Sequence, residues 1–85
     1  LERSKIQHPQ SPEVWKLLAL AYGKTGDIIG AHIARTEQFF LSGRPDEAIE
    51  QLEFALALID NDFPLVSKIE HRIQVIKKSK REIKL

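Results

Sequence analysis

The sequence of 85 residues has no cysteine and no methionine, one tryptophan, one tyrosine and four phenylalanines. Without cysteine there is no disulfide, no thiolate nucleophile and no cysteine-ligated zinc, an absence equally at home in the cytosol and the periplasm. Four glycines and four prolines are too few for a fibrous or low-complexity chain, so an ordinary small globular domain of modest stability is expected. Long apolar runs are missing too: Phe54 to Ile59 is bounded by Glu53 and Asp60, far short of the roughly 20 residues that cross a bilayer. The chain opens on Leu1 and a polar segment without a targeting pattern, which reads as a piece of something longer. No stretch alternates apolar and polar residues as a half-buried strand would.

What is present is helical. Ser11-Pro12-Glu13 supplies an N-cap, a proline at the first helical position and an early acid,. Val14, Leu17, Leu18 and Ala21 then recur at helical spacing, which predicts a first helix from Pro12 to Lys24 with that stripe in the core. Gly23-Lys24-Thr25-Gly26 stops it, and Asp27 can cap a second helix in which Ile29, Ile33 and Phe40 share a face and Ala31 and Ala34 admit a close neighbour,. Ser42-Gly43-Arg44-Pro45-Asp46 breaks the chain again near Leu41,. A third helix carries Ala48, Ile49, Leu52, Ala55, Leu56 and Ile59 opposite Glu47, Glu50 and Glu53. After Asp60-Asn61-Asp62, Phe63-Pro64 opens a last helix with Val66, Ile69, Ile73 and Ile76 inward. The expected fold is all-α: four antiparallel helices in two hairpins over residues 12–76, with a polar lead-in at 1–11 and a basic, fraying end at 77–85.

Net charge is +1, unevenly spread: residues 46–62 hold six acids and no base, and residues 76–85 hold five bases and one acid. Solvated helix faces account for both runs. The basic end lacks interleaved aromatics and any nucleic-acid fold signature, so no nucleic-acid partner is expected, nor membrane insertion. Ser4, Ser11, Ser42, Ser67 and Ser79 fall at caps, linkers or polar faces rather than beside an oriented base, and no catalytic residue is assigned,. Gly23-Lys24-Thr25-Gly26 lacks the strand and the spacing of a phosphate loop. His8, His32 and His71 stand in no zinc-ligand spacing, so no metal and no cofactor is assigned to this chain.

A repeat is visible. Gly26-Asp27 returns 17 residues later as Gly43-Arg44, and Gly30-Ala31 as Glu47-Ala48, half of a 34-residue period. With Trp15, Leu18, Ala19, Tyr22, Gly26 and Ala31 in the first repeat and Gly43, Ala48, Leu52 and Ala55 after it, the chain resembles tetratricopeptide repeats,. Arg35 and Gln38 depart from the pattern, where that family has an aromatic residue and an alanine. The fuller string from Glu13 to Asp27, with Ala31-His32 and Gly43 to Leu52, is similar over residues 9–76 to the C-terminal tail of bacterial M48-family zinc metallopeptidases. That resemblance implies a periplasmic protein whose zinc and His-Glu-x-x-His helix lie in a separate catalytic part, and whose tail engages outer-membrane proteins or their assembly machinery. This chain has no such motif and is expected to be non-catalytic,.

With Val14, Leu17, Leu18 and Ala21 assigned to the core, as Trp15 and Tyr22 are, the partner-binding candidates are Lys16, Leu20 and Lys24 on the outward face of the first helix. A clamp for a terminal carboxylate is not expected, because Lys16 is followed one turn on by Leu20 and not asparagine. The alternative is a scaffold or capping fragment of another repeat protein, such as a secretion or pilus assembly factor, whose long polar last helix seals an array.

Overall fold

The computed structural model describes residues 11–83, with side chains to Arg81. The lead-in through residue 10, with Ser4 and His8, and the final Lys84 and Leu85 lie outside the described residues. The described chain is all-α, four helices with no strand: α1 (Pro12–Lys24), α2 (Ile28–Leu41), α3 (Pro45–Leu58) and α4 (Phe63–Ile83). Each helix packs on the one before it as a hairpin, in a slab of 41 × 39 × 19 Å.

The boundaries follow from local chemistry. Ser11 Oγ accepts the Glu13 N–H at 3.2 Å and Pro12 needs no N–H at the first position, so α1 starts there,. At its end Gly26 takes φ +85, a left-handed conformation in which a Cβ is strained,. That residue lets the Asp27 N–H reach Tyr22 O at 2.9 Å and the Gly26 N–H reach Gly23 O at 3.2 Å, the paired bonds of a Schellman turn,. Seventeen residues on, Gly43 at φ +80 repeats it: the Arg44 N–H donates to Phe39 O at 2.8 Å and the Gly43 N–H to Phe40 O at 3.1 Å. The sequence repeat is therefore a repeat of turn geometry. The third connection differs, with Asn61 at φ 71 and no glycine, and Asp62 caps α4 by accepting the Leu65 N–H at 3.2 Å.

The core is a seam between α3 and α4. Ala48, Leu52 and Ala55 face Ile69, Ile73 and Ile76, two stripes with the same spacing of four and three residues. Small residues and one leucine on α3 thus pack against isoleucines on α4. Ile29, Ile33, Phe39 and Phe40 of α2 close over this seam. Between α1 and α2 the buried residues are Ala19, Ala31 and Ala34. Thr36 is fully buried and its hydroxyl donates to His32 O at 2.9 Å, so the one buried polar side chain among the described residues is satisfied inside its own helix,.

The first helix is where sequence and structure part. The stripe of Val14, Leu17, Leu18 and Ala21, expected in the core, faces outward: Leu17 is 66% exposed and Leu18 36%, Ala21 is exposed and Val14 only half-buried. Tyr22 is 38% exposed, also against expectation, and Trp15 is half-buried. The physical reason is that α1 meets α2 on the face of Ala19, its one buried residue, with the half-buried Trp15 one turn before it. Leu17, Leu20 and Ala21 lie away from that face and are left to solvent. The last helix runs on through the basic end, past Ile76 to Ile83. Lysine and arginine are good helix formers, and their charge is favoured at a helix C-terminus.

Candidate binding surfaces

On α1, the exposed residues Lys16, Leu20 and Lys24 stand one turn apart in a single row. Leu20 is 50% exposed and lies next to Ala19, the one buried residue of the helix, so the row projects sideways from the α1–α2 contact. All three candidates are therefore accessible, with an apolar centre and a cation on each side. Leu17, Leu18 and Tyr22, not predicted to be accessible, widen the apolar area of the same helix.

On α3, Phe54 and Leu58 are 47% and 51% exposed. Phe54 is held from one side by His32 of α2, whose ring lies 5.5 Å away at 45°. His32 is itself fixed by a hydrogen bond of 2.8 Å in which its Nδ1–H donates to Gln51 Oε1. His32 is thus a structural link between α2 and α3 that orients an exposed aromatic ring. Sequence reading found the histidine but not this role, since its partners lie 19 and 22 residues away.

Two ion pairs tie α4 to the rest. Arg72 donates through Nε to Glu37 Oε2 at 2.8 Å and through its terminal nitrogen to Glu37 Oε1 at 2.6 Å, a two-pronged pair, while its guanidinium lies 5.1 Å from the centre of the Phe40 ring. Arg72 and Glu37 side chains are 33% and 20% exposed, so water screens the pair only in part,. Neither residue was a candidate from sequence; a separation of 35 leaves no local signal. Further along, Lys80 bonds Asp46, which brings the basic end of α4 onto the first turn of α3. Beside that pair is a cleft of about 370 Å³ lined by Asp46, Ile49, Lys77, Lys80 and Arg81, and next to it one of about 320 Å³ lined by Phe40, Gly43, Pro45 and Lys80.

Among the described residues no three His, Asp or Glu side chains gather closely enough to hold a metal ion. None of the helices, over the described residues, is long and apolar enough to cross a membrane. The remaining signature positions act in packing or turns: Ala31, Ala48 and Ala55 are buried, and Gly26 and Gly43 hold the left-handed turns. Comparison of the chain with protein-family models, with curated proteins and with solved structures finds no match.

Proposed function

We propose that this chain is a non-catalytic, tetratricopeptide-type protein-binding module, the substrate- or partner-binding tail of a periplasmic zinc-dependent peptidase of the M48 type. The observation that carries the binding reading is the exposed row Lys16, Leu20 and Lys24, with further large apolar side chains around it on a helix pinned by two matching turns. Isolated exposed apolar residues are ordinary, whereas several on one short helix mark an interaction surface. Zinc and the chemistry belong, in this reading, to a separate catalytic part. The partner is an unfolded segment of an outer-membrane protein or of its assembly machinery, lying along α1 and the exposed Phe54 and Leu58 of α3.

Four helices offer a small surface, so affinity falls around the micromolar range or weaker. The test is titration of the 85-residue chain with unfolded outer-membrane protein segments at low and high salt, beside Leu20→Glu. Binding should weaken but persist at high salt, because the cations are screened over about 10 Å at 0.1 M while the apolar contact is not. Leu20→Glu should lower affinity at least tenfold at both salts. Equal binding by wild type and variant would move the site off α1. It would favour a second reading, a capping segment of another repeat protein, which the exposed Lys77, Lys78, Lys80 and Arg81 along the end of α4 suit,.

A further inference from the structure

We infer that α1 is a self-association face, on which a second copy of this chain docks antiparallel about a two-fold axis. The proposal rests on the protein-binding reading above, since it uses the same helix, and it names one partner for it. Glu13, Leu17, Leu20 and Lys24 follow one another at intervals of four, three and four residues, the spacing of a straight seam down a helix. Leu17 and Leu20 are 66% and 50% exposed, and Glu13 and Lys24 are exposed as well. The seam is self-complementary when reversed. An antiparallel copy centred between Leu18 and Ala19 sets Leu17 against Leu20 of the second copy, and Glu13 against Lys24 of the second copy. Both contacts occur twice, as an isologous interface requires.

The flanking positions fit the same register. On one flank Val14 comes beside Ala21 of the second copy, and on the other Lys16 comes beside Gly23, where a side chain would meet nothing within 4 Å. The glycine leaves room for the Lys16 side chain to carry its charge out to water. A parallel copy would instead oppose Glu13 to Glu13 and Lys24 to Lys24, and like charges specify against that arrangement. Sliding the antiparallel pair by one turn loses both charge pairs and one leucine contact. Charge and shape thus select one occupant and one register.

Each copy contributes a single helix of 13 residues, well below the roughly 1,600 Å² of a standard interface, so the dimer should be weak, with Kd on the order of 10–100 µM. The experiment is sedimentation velocity of the full chain from about 10 µM to about 1 mM, with circular dichroism confirming the fold. Wild type should shift toward dimer across that range. Glu13→Lys and Lys24→Glu, each alone, should associate at least tenfold more weakly, because each then opposes like charges in its own homodimer. An equimolar mixture of the two should associate as wild type does, since every charged pair is then opposite again. Leu17→Gln, at a largely exposed site where folding is undisturbed, should remain monomeric. A wild type monomeric throughout, or a mixture no better than its components, overturns the inference. A monomer that still binds outer-membrane protein segments overturns the dimer alone, whereas a dimer that binds none of them leaves this inference standing and removes the proposed function.

Discussion

Ile76 is fully buried at the point where the apolar pattern of the last helix gives way to lysines, so its substitution tests whether that end of α4 belongs to the core. Burying an isoleucine side chain is worth about 1.5–3 kcal/mol in transfer free energy. The hole left by Ile76→Ala adds a cavity contribution, which brings the expected loss to about 2–4 kcal/mol. Ile73 and Ile69 stand on the same stripe against Ala48, Leu52 and Ala55, and alanines cannot move in to fill the gap. A folded domain of this size holds roughly 4–13 kcal/mol in all. The variant should therefore lose a large share of its stability, and its melting temperature should fall by about 10–20 °C. Val75→Ala is the control: that residue is 37% exposed on the same turn, and alanine is the better helix former, so the change should stay within about 0.5 kcal/mol,. Urea denaturation followed by far-ultraviolet circular dichroism and by Trp15 fluorescence measures both. A loss under 1 kcal/mol for Ile76→Ala, or equal losses for the two variants, would refute the placement of Ile76 in the seam.

Three further outcomes are expected. Gly26→Val and Gly43→Val should each destabilise by about 1 kcal/mol or more, because both positions are left-handed; unchanged melting of both variants would contradict the turn geometry,. Arg72→Ala should lower stability by about 1.5–3 kcal/mol through the lost pair with Glu37 and the lost stacking on Phe40, and a double-mutant cycle with Glu37→Gln measures their coupling,. Lys80→Ala should change stability by less than about 1 kcal/mol, since its pair with Asp46 is exposed; a larger effect in urea denaturation would show that α4 depends on that contact,.

The ends of the helices were legible because they are written in local chemistry. Ser11-Pro12, Gly26-Asp27, Gly43 and Pro45 act within a few residues of themselves, and the structure places the boundaries where they fall. The α3–α4 seam was legible for a related reason: acids fill one side of α3, leaving a single apolar face. On α1 that reasoning failed, because leucines and alanines occupy most of its circumference and the side that packs is chosen by what α2 presents. The structure turns Ala19 inward, which no property of α1 alone reveals. The candidate row Lys16, Leu20 and Lys24 was found to be accessible even so, but Leu17 was missed as its neighbour on the surface. The Arg72–Glu37 pair and the His32–Phe54 contact depend on tertiary placement and leave no trace in local spacing.

The two matching turns are braced differently. Across the Gly43 turn, α4 works as an external brace, gripping α2 at Glu37 and Phe40 and α3 at Asp46 with side chains two turns apart. Among the described residues no ion pair bridges the Gly26 turn in the same way. Cutting the pairs of Arg72 and Lys80 should therefore loosen the packing around the Gly43 turn and leave the Gly26 turn as it is, since α1 packs directly along α2. The helix that carries the candidate contacts thus keeps its angle through packing on its neighbour, which salt does not screen.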